Sequence, residues 1–355
     1  MGQPKSAASG LVGASLGLLL ACGPPGSSNE APLPTPSPTL EQLPVTTEAV
    51  PAEDLVARLR SSIGVGRLQR SDLNPIEGEP LPYDGYTLRP VSIELAEGFR
   101  LSGAIWTPDD GGNGFAAIVA HGHFGEGKSS GEAQGPAHAL AAAGFRVLAL
   151  DTPGVEEGER PNRQIHFEGG AANRERLLEM GLSSMGLQVE GLMAGIDLLH
   201  TEGPPKGVVA LGASGGAVQS GYLALLDERV SAVVMASYVS TPRGSSEGGC
   251  PCDAIPGWDG PDGRLMQQLT QPNLWLSELD PPNRDGVGQR GEVVIVEGEH
   301  GFNLEMIASM MSWLGPALEI APLEPPTSIP NTPSNLLSSE SVGEAGIAEL
   351  RATAP

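Results

Sequence analysis

The stretch Val208-Val209-Ala210-Leu211-Gly212-Ala213-Ser214-Gly215-Gly216-Ala217-Val218 decides the fold that we predict for this sequence. Its apolar start is typical of a buried strand, and residues 218, 222, 225 and 226 then continue an apolar pattern at helical spacing. Between them stands Gly212-Ala213-Ser214-Gly215-Gly216, which has the form G-x-S-x-G of a nucleophile elbow. Glycines flank the serine of such an elbow because a Cβ there would clash with the neighbouring strand or helix. An ordinary glycine-rich turn is the alternative, since the chain contains 49 glycines.

Composition indicates one folded domain with unstructured ends in this chain of 355 residues. Many of the 33 prolines lie between Gly23 and Pro51 or between Pro316 and Pro333. Segments of this kind bury too little apolar surface to offset their conformational entropy. We therefore expect a Pro-rich linker over residues 23–69, a domain over 70–316 and a disordered tail over 317–355. An amphipathic stretch over residues 55–68 either packs on the domain or is unordered.

The formal net charge of −23 disfavours nucleic acid as a partner, because phosphate binding requires lysine and arginine. It also disfavours electrostatic docking on an anionic membrane, and we interpret it as a source of solubility and of acidic tails. Cys250-Pro251-Cys252 offers too few ligands for a structural zinc ion, and a disulfide there would close a strained ring. We assign this pair to a loop beside the substrate and expect no metal or organic cofactor.

The N-terminus indicates export. Residues 11–21 are apolar, too few for a membrane span but enough for the central region of a signal peptide. Leu19-Leu20-Ala21-Cys22 resembles a bacterial lipobox, which implies cleavage before Cys22 and lipidation of its thiol. Residues 1–22 are therefore expected to direct a lipoprotein to the cell envelope, in the periplasm or outer membrane. An ordinary signal peptide is one alternative, and myristoylation at Gly2 is another that the following apolar run disfavours.

The folded region alternates strand and helix, which predicts a mostly parallel sheet with helices on both faces. A hairpin of strands 86–95 and 99–107 precedes the alternation, and residues 155–185 form an excursion from it. Besides the strand and helix of the elbow, further strands are expected at residues 115–120, 146–150, 230–236, 273–279 and 292–296, and helices at 131–143, 186–200 and 302–314.

Polar residues follow several of these strands, at the edge where open parallel sheets place their sites. A serine hydroxyl needs a histidine base, and the imidazole needs a carboxylate to fix its tautomer. His300 follows the last strand and is the expected base for Ser214, although a surface-loop histidine is the alternative. Asp280 is the preferred acid, because it lies past its strand in a turn, and Glu278 is the alternative.

An oxyanion hole is expected beside the elbow. One donor should be the backbone N–H of Gly215, at the start of the helix after Ser214. The other should be the N–H of His123, in the segment that follows strand 115–120. His121 is interpreted as a loop anchor, and Asp151 as a structural cap of the turn after its strand.

These motifs together resemble the α/β-hydrolase superfamily, and more narrowly its bacterial acetylxylan esterase, dienelactone hydrolase and prolyl-oligopeptidase-related group. The resemblance rests on His121-Gly122-His123, Asp151-Thr152-Pro153-Gly154, the elbow, and Gly298-Glu299-His300-Gly301. It implies the α/β-hydrolase fold and the triad order serine, acid, histidine. The acid region departs from the group, because Ser277-Glu278-Leu279-Asp280 replaces the usual Gly-x-x-Asp turn.

The resulting hypothesis is an exported serine esterase that acts on a small-molecule or polysaccharide ester through an acyl-enzyme. Acetylated plant polysaccharide is the substrate that the resemblance implies. A catalytically inactive surface lipoprotein with a binding role is a second hypothesis, and a serine peptidase with the same active site is a third.

Overall fold

A computed structural model describes residues 54–122, 127–166, 168–237, 255, 265–278, 290–330, 332–334, 336–337 and 339–353. These residues contain six α-helices, namely α1 (Leu55–Ile63), α2 (Gly131–Ala142), α3 (Ala171–Glu179), α4 (Ser184–Thr201), α5 (Gly215–Leu226) and α6 (Leu304–Ala317). They also contain ten strands: β1 (Ile76–Glu77), β2 (Leu81–Pro82), β3 (Tyr86–Ala96), β4 (Phe99–Pro108), β5 (Ala116–Ala120), β6 (Arg146–Leu150), β7 (Val208–Ala213), β8 (Val230–Ala236), β9 (Asn273–Ser277) and β10 (Gly291–Ile295).

One sheet contains all ten strands, in the order β1-β3-β4-β6-β5-β7-β8-β9-β10, with β2 paired to β3. Pairing is antiparallel from β1 to β6, through the β3–β4 hairpin, and parallel from β6 to β10. The mostly parallel sheet predicted from the sequence is therefore confirmed. Because the parallel strands run in one direction, β5, β7, β8 and β9 end at the same edge of the sheet.

Helices cover both faces of the sheet. Apolar side chains of α1, α4 and α5 form one core with one face, and those of α2 and α6 form a second core with the other face. Ser130 and Asn303 begin α2 and α6, where their side-chain oxygens accept the N–H groups of Ala133 and Met306. Such caps satisfy backbone donors that the helix leaves unpaired. Within the described ranges, no helix combines the length and the apolar character that crossing a bilayer requires.

The folded region begins earlier than residue 70, where the sequence predicted its start. Helix α1 lies in the expected linker, yet Leu55, Leu59 and Ile63 are fully buried in the core that α4 and α5 share. Its packing follows from the i, i+4, i+8 spacing of these three residues, which gives the helix one apolar face.

The C-terminal segment also differs from the expected disordered tail. Leu337, Val342, Ile347 and Leu350 are buried, and Ala352 forms a β-bridge with Leu68. The guanidinium of Arg163 donates to the carbonyls of Arg100, Val342 and Ala345 at 2.8, 3.0 and 2.8 Å. The sequence does not predict this packing, because only a few widely spaced apolar residues and backbone carbonyls of a polar segment make the contacts.

Candidate active site

Ser214 stands at a strained turn between β7 and α5. Its φ is 53° and its ψ is −117°, a conformation that residues with a side chain rarely adopt. The backbone N–H of Ser214 donates to the carbonyl of Ala236, at the end of β8, over 2.9 Å. A serine held in this way at the tip of a strand-to-helix turn has the geometry of a nucleophile elbow.

Close backbone packing explains the glycines around Ser214. A Cβ on Gly216 would lie 2.3 Å from the carbonyl oxygen of Ala120, the last residue of β5. A Cβ on Gly122 would lie 3.2 Å from the backbone nitrogen of Gly216 and 3.5 Å from that of Gly215. The chain leaving β5 thus lies against the N-terminus of α5, where the sequence predicts the oxyanion donors.

Glu278 and His300 come together at the same edge of the sheet. Oε1 of Glu278, directly after β9, lies 3.4 Å from Nδ1 of His300, in the loop after β10. Their side chains are 17% and 59% exposed, respectively. With Nδ1 facing the carboxylate, Nε2 is the imidazole nitrogen available for a nucleophile.

Each partner stabilises the charged form of the other. The hydrogen bond to Glu278 raises the pKa of His300, although burial opposes the shift, and the charge of Glu132 on α2 adds to it. Burial would raise the pKa of Glu278, but the hydrogen bonds from His300 and Ser237 outweigh it and lower the pKa. This is the mutual effect that a carboxylate orienting a histidine base produces.

A buried charged cluster lies beside the segment that follows β5. Nζ of Lys128 contacts Oδ2 of Asp151 at 2.8 Å, Oε2 of Glu156 at 2.7 Å, and a carboxylate oxygen of Glu157. Burial would lower the pKa of Lys128, but the three carboxylates outweigh it and raise the pKa. Burial also raises the pKa of Asp151 to about 6, against the effect of Lys128.

The three carboxylates are close enough to hold a metal ion, with ligand oxygens within 4.8 Å of one another. The ammonium group of Lys128 contacts all three, so a side chain of the protein already supplies the cation. We treat this cluster as structural.

Asp151 and Thr152, the two residues after β6, bind the chain on either side of His123. The hydroxyl of Thr152 donates to the carbonyls of His121 and Gly122, each at 2.8 Å. A carboxylate oxygen of Asp151 accepts the backbone N–H of Lys128 at 2.6 Å. These contacts tie Asp151 to the segment after β5, and its role as a cap of the turn after β6 stays a prediction.

The structure describes some of the predicted site residues and not others. Ser214, Gly215, Glu278 and His300 stand at one edge of the sheet, and Glu278, the alternative acid of the sequence analysis, contacts His300. The other predicted positions lie outside the described residues, namely Cys22, His123, Cys250, Cys252 and Asp280. Sequence reasoning missed Ser237 and the role of Lys128, because neither belongs to a recognisable motif.

Solved esterase structures share this architecture. Methylesterase BT1017 aligns with a TM-score of 0.65 and 22% identity over 84% of this chain and 71% of that chain. An acetyl xylan esterase from Paenibacillus sp. R4 aligns with a TM-score of 0.53 and 14% identity, over 78% and 97% of the two chains. A putative acetyl xylan esterase from Bacteroides fragilis aligns with a TM-score of 0.52 and 15% identity, over 69% and 74%. No protein-family model matches the sequence, and no curated protein matches it.

Proposed function

From the α/β-hydrolase fold, which the chain shares with these esterases, we propose that the protein is a serine hydrolase that cleaves carboxylic esters. The observation that carries the proposal is the strained Ser214 at the elbow, on the sheet edge where Glu278 contacts His300. These are the positions from which the fold supplies nucleophile, acid and base, in that chain order.

In the proposed reaction, Oγ of Ser214 attacks the ester carbonyl carbon while Nε2 of His300 takes the hydroxyl proton. The N–H groups of Gly215 and His123 stabilise the resulting oxyanion. Collapse of the tetrahedral intermediate breaks the bond to the alcohol, which leaves with the proton from His300. Water, deprotonated by the same imidazole, then attacks the acyl-enzyme. The bond to Oγ of Ser214 breaks, Oγ takes the proton back from His300, and the carboxylic acid leaves.

We assign the acid to Glu278, because its carboxylate faces Nδ1 of His300. The assignment is tested by comparing Glu278→Gln with Asp280→Asn in the same ester assay. Glu278→Gln should lower kcat about 100-fold or more, since the neutral amide no longer stabilises the imidazolium. Asp280→Asn should stay within about twofold of wild type, and the opposite ranking would make Asp280 the acid.

The ester reaction itself is tested with p-nitrophenyl acetate, acetylated xylan and a methyl-esterified polysaccharide, alongside aminoacyl p-nitroanilides. We choose these three esters because the similar structures are named as acetyl xylan esterases and a methylesterase. We expect ester hydrolysis that falls about a thousandfold or more in Ser214→Ala. Faster cleavage of the anilides would favour a peptidase, and ligand binding without any hydrolysis would favour the inactive binding lipoprotein.

Residues 1–22 and Cys22 extend the proposal to the location of the protein. We propose that this segment directs export and that the thiol of Cys22 is lipidated, because the apolar run and Leu19-Leu20-Ala21-Cys22 resemble a lipoprotein signal. Metabolic labelling with a fatty-acid analogue should mark the wild-type chain but not Cys22→Ser. Equal labelling of both would contradict lipidation at this cysteine.

A further inference from the structure

Ser237 lies where three structural elements of the candidate site meet. It directly follows β8 and is buried, and its backbone N–H donates to the carbonyl of Leu276 in β9 at 2.8 Å. Its φ is 52°, in the left-handed region that favours glycine. A serine in that conformation is held there by its surroundings, which makes its side-chain contacts informative.

The hydroxyl of Ser237 joins the acid to the histidine loop. Its Oγ–H donates to Oε1 of Glu278, the same oxygen that faces Nδ1 of His300. Its oxygen also accepts the backbone N–H of Gly301, the residue after His300, at 2.8 Å. One hydroxyl therefore fixes the orientation of the carboxylate and the backbone position of the base.

The geometry points to Ser237 as a positioning residue of the proposed hydrolase, which sets the approach of Glu278 to His300. This inference rests on the proposed function and names a residue outside the serine, acid and histidine. Without the hydroxyl, Glu278 keeps its charge but loses a bond that orients it, and the loop of His300 loses a tether. A small displacement of a catalytic group lowers kcat, by up to about 100-fold for about 1 Å.

Two substitutions separate the hydroxyl from the backbone conformation. Ser237→Ala removes the hydroxyl and leaves a side chain at positive φ, whereas Ser237→Gly removes the hydroxyl and relieves that strain. We expect kcat to fall about 10-fold to 100-fold in both variants, with little change in KM. Ser184→Ala is the matched control, because Ser184 is buried and its hydroxyl has no hydrogen-bond partner among the described residues.

The pKa of His300, measured by NMR titration, gives a readout that does not depend on turnover. Among the described residues, Glu278 and Glu132 are the charged groups that raise this pKa from other elements. If Ser237 orients Glu278, the pKa of His300 should fall towards its ordinary value in both variants and stay unchanged in Ser184→Ala. A kcat within twofold of wild type together with an unmoved pKa would overturn the inference.

The outcomes distinguish this inference from the proposed function. If the wild type hydrolyses no ester, the proposed function fails and the NMR titration alone decides whether Ser237 orients the pair. If Ser214→Ala abolishes hydrolysis while Ser237→Ala and Ser237→Gly leave both kcat and the pKa unchanged, the proposed function stands and the inference fails. A kcat lost in Ser237→Ala but restored in Ser237→Gly would also overturn it, because strain and not the hydroxyl would then explain the loss.

Discussion

Lys128→Met should be among the most destabilising single substitutions in the chain. The side chain of Lys128 is fully buried, and its three carboxylate partners are 2–3% exposed. Without the ammonium group, three carboxylates remain within 4.8 Å of one another. At that distance and an effective dielectric constant of about 20, each pair repels by about 3.5 kcal/mol. Such repulsion drives proton uptake by the carboxylates. We expect the substitution to lower the free energy of unfolding by about 3–5 kcal/mol, which is typical of a broken buried ion pair.

Urea unfolding at pH 5.5 and pH 8 provides the assay. In Lys128→Met, the carboxylates have folded-state pKa values above their unfolded values, so the folded state binds more protons. The free energy of unfolding of the variant should therefore fall as the pH rises. Adding Glu157→Gln, which removes one of the charges, should recover part of the loss.

Arg176→Met is the control, because Arg176 and Glu179 form an ion pair with side chains 43% and 61% exposed. Breaking that pair should lower the free energy of unfolding by less than about 0.5 kcal/mol. If Lys128→Met lowers the free energy of unfolding by less than about 1 kcal/mol and keeps the pH dependence of wild type, the buried ammonium does not hold the carboxylates together.

Gly216→Ala should destabilise the fold and abolish the proposed esterase activity, because its Cβ would lie 2.3 Å from the carbonyl oxygen of Ala120. Gly131→Ala, whose Cβ has open space around it, should change neither the melting temperature nor the activity. Burial lowers the pKa of His138 to about 4. The neutral form of His138 should therefore contribute up to about 3 kcal/mol to the free energy of unfolding, all of it above pH 6.5, and this contribution should be lost as the pH falls towards 4. Comparing the unfolding of wild type and His138→Gln across that range measures this contribution, and a constant difference would contradict it. Arg163→Met should lower the free energy of unfolding by about 3 kcal/mol and expose residues 339–353 to limited proteolysis, because three carbonyls lose their donor. Arg163→Lys should restore the stability only in part. Unchanged cleavage in both variants would contradict that role.

The strands and helices that build the sheet could be predicted because each carries a local signal. Runs such as residues 147–150 are apolar throughout, and Gly144 follows α2 with a φ of 90°, as expected of a glycine that ends a helix. Ser214 could be found because a strained turn packed against β5 needs glycines on either side, and that need leaves a pattern in the sequence.

Contacts between distant segments left no such pattern. Arg163 reaches the C-terminal segment across about 180 residues, and its partners are backbone carbonyls that any residue type offers. Ser237 is an ordinary serine in sequence, and its position between Glu278 and Gly301 depends on the register of three strands. The preference for Asp280 over Glu278 rested on its position in the turn past the strand, and it stays a prediction because Asp280 lies outside the described residues.

Labelling with a fluorophosphonate probe tests directly whether the serine at the elbow is activated. We expect one covalent adduct on the folded wild-type chain, located at Ser214 by peptide mass spectrometry. We also expect no adduct in Ser214→Ala and strongly slowed labelling in His300→Ala. A folded wild-type protein that is not labelled, or a Ser214→Ala variant that is labelled as fast as wild type, would contradict the activation of Ser214.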